Sequence, residues 1–296
     1  LKRWIEAAEM ARELLQGHPD HAEAHRWLGA IYYDLGAMNQ AEDHLQKLSQ
    51  LRPADYSPYR LLGLMHADFE RYKEAITDYR AALTRKPPLS AAWEIRRELA
   101  KAQTKVNDFA GASQTLEELP DEGRDAESLA LQAECLWSLG RPDEARQWLT
   151  RAHAAGPNDA AVLLRVARFA RETNRTEEAI APLQRILQDD PHNSTARYEL
   201  ALAYQQLGRS EDAATEMARR NESHALFEQM VTLNQRAVQE PTNADLRAEL
   251  ADVCEQLGKP ELAAVWRDAA NALRTEGDRP RTTPDRARSA MPVKTP

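Results

Sequence analysis

The sequence predicts an all-α solenoid assembled from helix–turn–helix repeats, and two observations lead to this prediction. A small residue following a polar turn recurs at intervals of mostly 34 residues, at Ala7, Ala41, Ala75, Ala112, Ala145, Ala179, Ala213 and Ala263. The composition, with 42% hydrophobic residues and only 11 glycines among 296 residues, favours helices. No run of alternating polar and apolar residues indicates a strand.

Within each repeat, small residues and turn residues mark where two helices meet. A second small residue precedes the alanine by 12 positions, at Gly29, Gly63, Ala100, Ala133, Ala167, Ala201 and Ala251. Because helices approach closely only where side chains are small, this pair of positions predicts a helix–helix crossing. The turn residue lies 5 positions before the alanine, at Gly36, Asn107, Gly140, Asn174, Gly208 and Gly258. Gly and Asn tolerate the left-handed backbone that ends a helix, whereas Glu70, at this position in one repeat, does not fit the pattern.

Prolines and short polar residues mark the boundaries between repeats. Proline follows the alanine by 12 positions at Pro19, Pro53, Pro87, Pro157 and Pro191, where it stops the second helix. An Asp or Asn then caps the next first helix, at Asp55, Asp125, Asp159, Asn193 and Asn243.

Taken together, these positions resemble the tetratricopeptide repeat (TPR), a helix–turn–helix unit with a period of 34 residues. The clearest unit combines Leu28-Gly29, Tyr32, Ala41, Leu45, Leu48 and Pro53. The resemblance extends over roughly residues 1–272, with full repeats beginning near Ala22, Tyr56, Trp93, Ala126, Ala160, Ser194 and Ala244. It implies a TPR-type solenoid, wound as a right-handed superhelix, of a kind known from bacterial proteins.

The repeat pattern divides the chain into five segments. Residues 1–20 are predicted as the second helix of an incomplete TPR, 21–210 as the TPR array, 211–240 as an extended helix or insertion, 241–274 as the last TPR and cap, and 275–296 as a disordered tail. The insertion contains no proline or glycine, so one long helix and a helix broken near Asn221 both fit it. The tail has four prolines and almost no apolar side chains, too few to bury a core.

The alignment places the first residues at about position 14 of a repeat, which suggests a fragment of a longer chain. Without a preceding first helix, the apolar face with Trp4, Ile5 and Leu14 is expected to be exposed, to cover a neighbour or to be buried by upstream residues. An exposed face would allow self-association.

In TPR proteins the first helices line a concave groove, so the resemblance implies a partner-binding surface on them. The positions that match the groove are Arg26, Trp27, Tyr33, Arg60, Arg97, Lys101, Lys105, Trp137, Arg165 and Arg168. They predict a basic track with aromatic anchor points that attracts an acidic segment, since guanidinium groups hold carboxylates in bidentate geometry. The alternative is a salt-bridged, solvated face, because acidic residues such as Glu94, Glu98 and Glu134 interrupt the track. The chaperone-tail clamp of some TPR proteins is absent, since Ala30 and Leu61 stand at two of its positions.

No motif in the sequence predicts catalysis, a cofactor or a metal. The sequence has no Gly-rich phosphate loop, no zinc-protease motif and no nucleophile elbow. His18, His21 and His25 have metal-like spacing, but no carboxylate or cysteine cluster completes a site. Cys135 and Cys254 are predicted to be small core residues.

The leading functional prediction is therefore a non-catalytic TPR scaffold that binds a protein or acidic peptide in a partly basic groove. The net charge of −8 argues against nucleic acid, and no apolar stretch is long enough to span a membrane. Two alternatives place the missing part upstream of residue 1: a substrate-selecting or regulatory arm of a larger enzyme, and a membrane-anchored assembly factor. The compartment stays open, with the cytoplasm slightly favoured and a membrane-anchored or periplasmic location possible.

Overall fold

A computed structural model of the chain describes residues 2–277, with side chains from Trp4 to Thr275. This part of the chain contains fifteen α-helices and two short 3₁₀ segments, and it contains no strand. The all-α prediction is thereby confirmed. The chain divides after Glu172 into two compact units.

The first unit consists of ten helices that pack as successive hairpins. They are α1 (Lys2–Gly17), α2 (Ala22–Asp34), α3 (Met38–Leu51), α4 (Ser57–Asp68), α5 (Tyr72–Thr84), α6 (Leu89–Lys105), α7 (Phe109–Glu117), α8 (Ala126–Ser138), α9 (Pro142–Ala155) and α10 (Ala160–Glu172). A 3₁₀ segment, Asp121–Gly123, precedes α8. The even-numbered helices are the first helices of the repeats, and the odd-numbered ones are the second helices.

Helix α1 begins the first unit, and its two faces differ in exposure. Ala8, Ala11 and Leu14 pack against α2, whereas Trp4 and Ile5 are about half exposed. Of the expected alternatives, Trp4 and Ile5 fit an exposed face, and Leu14 fits a face that covers a neighbouring helix.

The helix ends follow from the capping and turn residues. The Asp125 carboxylate accepts a hydrogen bond from the Ser128 amide at 2.8 Å and caps α8, and Asp108 caps α7 in the same way through Gly111. Backbone φ is positive at all six predicted Gly and Asn turn positions, and also at Glu70, where it is 60°. Glu70 therefore adopts the conformation of the repeat without the residue type that favours it.

Replacing Glu70 by glycine is expected to stabilise the first unit. The left-handed backbone costs a non-glycine residue about 1–2 kcal/mol. Glycine avoids this cost, but its greater flexibility in the unfolded chain cancels about half of the gain. We expect Glu70→Gly to raise the free energy of unfolding by about 0.5–1 kcal/mol, measured by urea denaturation. Lys73→Gly, inside α5, should lower it, and a loss of stability in both variants would contradict the argument.

The junction before Trp93 differs from the prediction. The sequence places the start of the first helix near Trp93, but α6 begins at Leu89 and is 17 residues long. Pro88 occupies the N-cap position, where its missing amide hydrogen costs nothing, and the helix starts immediately after it. The extra residues thus lengthen α6.

His66 forms a buried polar contact between three helices of this unit. Its Nδ1 lies 2.7 Å from the Asp78 carboxylate of α5, and its Nε2 lies 3.5 Å from Glu42 of α3. The hydrogen bond to Asp78 raises the pKa of His66 above its ordinary value, although burial and the nearby Arg71 oppose the shift. Protonated His66 therefore stabilises the packing of α3, α4 and α5.

This contact predicts a pH dependence of stability. A histidine with a raised pKa in the folded chain contributes fully below its ordinary pKa of about 6.5, and the contribution is lost as the pH rises through the raised value. The free energy of unfolding of the native chain minus that of His66→Gln should therefore shrink as the pH rises above about 6.5. The difference between the two proteins is used because burial lowers the pKa of His44. A histidine with a lowered pKa in the folded chain makes the free energy of unfolding rise with pH, which is opposite to the effect of His66. A pH-independent difference would contradict the prediction.

The second unit contains five helices, the third of which is unusually long. They are α11 (Ile180–Asp189), preceded by a 3₁₀ segment Thr176–Ala179, then α12 (Ser194–Gln206), α13 (Ser210–Gln239), α14 (Ala244–Gln256) and α15 (Pro260–Gly277). Helix α13 packs against α12 and then α14, and it runs through Asn221 without interruption. Helix α15 includes Thr275 to Gly277, which the sequence assigned to the tail; residues 278–296 lie outside the described part.

Candidate functional site

The ten candidate residues all lie on the first helices of the first unit. Arg26, Trp27 and Tyr33 are on α2, Arg60 is on α4, Arg97, Lys101 and Lys105 are on α6, Trp137 is on α8, and Arg165 and Arg168 are on α10. Contacts between successive first helices join most of them into one surface. We call these ten residues and the carboxylates that they contact the first-helix face.

Arginine–carboxylate pairs connect neighbouring first helices across this face. Arg60 of α4 contacts two carboxylates of α6, with Nη2 at 2.7 Å from Glu98 and Nη1 at 2.8 Å from Glu94. The hydrogen bond with Glu98 raises the pKa of Arg60. Arg165 of α10 donates to Glu134 of α8 at 3.0 Å. The two arginines therefore link α4 to α6 and α8 to α10.

The pairs between α6 and α8 involve residues that the sequence did not indicate as partners. Arg97 donates to the Gly123 carbonyl at 3.0 Å and lies 3.3 Å from Asp125. The Lys101 ammonium lies 2.7 Å from Glu127. The sequence indicated Asp125 only as a helix cap. Its negative charge at the start of α8 was the one sequence feature that could have marked it as a partner of Arg97. The face therefore carries both cationic and anionic side chains, which pair between neighbouring helices.

The cations of the face differ in how far they reach into solvent. Arg60, Arg97 and Arg165 are only 25–26% exposed, and each is held by the neighbouring helix. Arg26 and Lys101 are 51% and 47% exposed. Arg26 pairs with Glu23 of its own helix, and Lys105 is exposed with no ion pair among the described residues. We call the first three the bracing arginines, and Arg26, Lys101 and Lys105 the outward cations; Arg168 is exposed on α10.

The three aromatic residues have different surroundings. Trp27 is 53% exposed. The Tyr33 hydroxyl donates to the Asp68 carboxylate of α4, and burial, followed by this hydrogen bond, raises its pKa to about 12. Trp137 is half-buried and packs edge-on against Phe169, with ring centroids 5.8 Å apart. Among the three, Trp27 offers the most accessible apolar surface.

His21 and His25 form hydrogen bonds within the first unit, and both cysteines are buried. His21 accepts from the Ala24 amide, while His25 contacts His44 and the Pro19 carbonyl, both at 2.9 Å. Between residues 4 and 275, no three His, Cys, Asp or Glu side chains are placed to hold a metal ion. Cys135 and Cys254 are buried, and burial raises the pKa of Cys135 to about 12. Its thiol therefore stays protonated near neutral pH.

Family models settle the class of this fold. A model described as tetratricopeptide repeat matches residues 1–63, 66–135 and 170–233, and two further models of the same description match residues 126–169 and 39–91. The chain belongs to the tetratricopeptide repeat family. TPR repeats form a scaffold for protein–protein interaction.

Relatives with TPR repeats show how this chain compares in length. Interferon-induced protein with tetratricopeptide repeats 2 of Cricetulus griseus is 23% identical over 255 residues, which are 79% of this chain and 53% of that protein. The chain thus spans about half the length of this relative.

Two solved structures share the fold. The Cut9 and Hcn1 hetero-tetramer of APC/C contains a chain that is 16% identical, with 92% of this chain and 50% of that chain covered and a TM-score of 0.51. The human IFIT1 dimer with PPP-AAAA is 14% identical, with coverages of 92% and 69% and a TM-score of 0.51. At this identity the likeness concerns the fold alone. None of the described helices combines the length and the apolar character that a membrane-spanning segment requires.

Proposed function

We propose that this TPR chain is a non-catalytic scaffold that binds an extended segment of a partner protein on the first-helix face. The observation that carries the proposal is the exposure of Trp27, 53% of whose surface is in solvent on a face otherwise held together by ion pairs. Large aromatic side chains of this kind are the usual anchors of protein interfaces, because they bury much apolar area at little cost in conformational entropy.

The charges of the face support a partner segment that carries carboxylates. Arg26, next to Trp27 on α2, extends into solvent, as do Lys101 and Lys105 on α6. The bracing arginines are only 25–26% exposed, whereas Arg26 and Lys101 are about half exposed, so an incoming acidic group meets the outward cations first. Because these charges are exposed, salt should weaken binding, with screening over about 8–10 Å at physiological ionic strength.

The proposal is tested by selecting random twelve-residue peptides on the immobilised full chain and measuring each enriched peptide by fluorescence polarisation. We expect a group of acidic peptides that loses at least about tenfold in affinity with Trp27→Ala and with the triple variant R26E/K101E/K105E. The matched control K73E/R146E/R236E makes the same change of charge at exposed positions on second helices. Equal loss in the control, or unchanged binding in both test variants, would refute the proposal.

A further inference from the structure

The core around α7 is unusually polar. Ten polar or charged side chains are buried among the described residues, and five of them lie on this helix or on the adjacent helices α6 and α8: Gln103, Ser113, Thr115, Ser128 and Gln132. Helix α7, with nine residues, is also the shortest α-helix of the described chain. Elsewhere in the first unit, second helices pack mainly through Ala, Leu, Ile and Tyr. A polar lining at this one position therefore needs a reason other than stability.

The hydrogen bonds of this polar group are incomplete. The Thr115 hydroxyl donates to Gln103 Oε1 at 2.9 Å, and the Gln132 amide donates to the Ser113 hydroxyl at 2.9 Å. Gln132 Oε1, in a side chain that is only 2% exposed, has no hydrogen-bond partner. Apolar residues would pack here without leaving a buried acceptor unpaired, so the polar residues reduce stability. Departures from good packing of this kind are expected at functional or strained sites.

An open cleft is lined by two members of this polar group, Gln103 and Thr115, whereas Gln132 lies outside it. It has a volume of about 320 Å³ and is formed by α5, α6 and α7. Leu83 and Leu99 provide apolar walls, Gln103 and Thr115 form the polar floor, and Arg80 and Gln114 stand at the rim. Gly111 also lines the cleft, and a Cβ there would come within 2.5 Å of the Gln103 amide nitrogen. Glycine at this position therefore allows the Gln103 amide to lie directly against α7.

The rim of the cleft carries a positive charge without an anionic partner among the described residues, and this favours the binding of an anion. Glu118, at the same rim, is already paired with Arg96 at 2.9 Å. Arg80 is exposed and forms no ion pair with any described residue. Its planar guanidinium can hold a carboxylate through two parallel hydrogen bonds. The Gln114 carboxamide beside it can both donate to and accept from a peptide group.

We propose that this cleft is a second binding site, which accepts an apolar side chain of a partner peptide together with a neighbouring carboxylate. The volume is at the lower end of the roughly 300–1,000 Å³ of ligand pockets, which suits one side chain and its adjoining backbone. The apolar group enters between Leu83 and Leu99, the carboxylate binds Arg80, and the peptide group pairs with Gln114. This site is formed by the second helices α5 and α7 together with Leu99 and Gln103 of the first helix α6, and none of the ten residues of the first-helix face lines it.

The experiment uses the full chain, a random twelve-residue peptide library as the probe, and two variants that change the cleft. Gln114→Trp covers the opening, and Arg80→Glu reverses the charge at the rim. Gln147→Trp places the same bulk two residues after Ala145, where Gln114 stands two after Ala112, and Lys73→Glu reverses a charge on the same helix as Arg80. Circular dichroism verifies that all four variants fold.

We expect a group of enriched peptides, with an apolar residue next to an acidic one, that binds Gln114→Trp and Arg80→Glu at least about tenfold more weakly. The same peptides should bind Gln147→Trp, Lys73→Glu and Trp27→Ala as they bind the native chain. The inference is overturned if no peptide is enriched, if all enriched peptides bind the cleft variants as tightly as the native chain, or if the control variants lose affinity equally. Loss with Trp27→Ala alone would support the first-helix face and overturn the second site.

Discussion

Replacing Glu216 by alanine is expected to lower the free energy of unfolding of the second unit by about 3–5 kcal/mol. The Glu216 carboxylate accepts from Arg197 Nη1 at 2.6 Å, and the two side chains are 9% and 12% exposed. Arg197 also donates to the Pro191 carbonyl at 2.9 Å, which fixes the turn before α12. Alanine would leave the guanidinium buried without a counter-charge, and this is far more costly than losing an exposed ion pair.

The double variant Arg197→Met, Glu216→Leu is the control for this prediction. It removes both charges and keeps apolar volume, so we expect it to recover most of the loss. Guanidinium denaturation followed by circular dichroism gives the stabilities, and hydrogen exchange in α12 and α13 locates the change, since repeat arrays need not unfold in one step. A loss under about 1 kcal/mol for Glu216→Ala would show that α13 does not depend on this pair.

Replacing Gly63 by alanine is expected to destabilise the first unit by about 1–3 kcal/mol, although alanine is the better helix former. A Cβ at Gly63 would lie 2.6 Å from the Tyr79 ring, which is rigid and only 1% exposed. The helices α4 and α5 would have to separate to accommodate it. This effect follows from one of the small residues that mark the helix–helix crossing.

Gly29→Ala, at the same position of the preceding repeat, provides the comparison. Its Cβ would lie 2.8 Å from Leu45 Cδ2, the end of a side chain that can rotate. We therefore expect a smaller loss, partly cancelled by the gain in helix propensity of about 1 kcal/mol. Urea denaturation of both variants measures the difference. Equal losses would mean that the crossing distance, and not the rigidity of Tyr79, sets the cost.

The repeat pattern predicted most of the fold because each signal acts locally. A left-handed turn at Asn107, a cap at Asp125 and the helix crossing at Gly63 each depend on residues within one hairpin. Helix α6 was predicted less well, because its start depends on how Pro88 and the extra residues are accommodated. The sequence pattern also could not decide between a continuous and a broken α13; in the structure the helix is continuous and packs against α12 and α14.

The site was harder to predict than the fold, for a physical reason. Repeat positions place Arg60, Arg97 and Lys101 on the first helices. Their side chains are long and flexible, however, and can form ion pairs with several different carboxylates of the next helix. The sequence therefore left a basic track and a salt-bridged face as alternatives. In the structure Arg60 is 26% exposed and Lys101 47%, although both form ion pairs. This difference, which depends on three-dimensional packing, separates the bracing arginines from the outward cations.

The measurement that tests the account most directly compares affinity and stability in two triple variants of the first-helix face. For a peptide that depends on Trp27, R26Q/K101Q/K105Q should lower affinity at least about tenfold and leave the free energy of unfolding within about 0.5 kcal/mol of the native value. R60Q/R97Q/R165Q should instead lower that free energy by about 1–2 kcal/mol. The opposite result, with affinity lost only in the bracing variant and stability lost only in the outward one, would contradict the assignment.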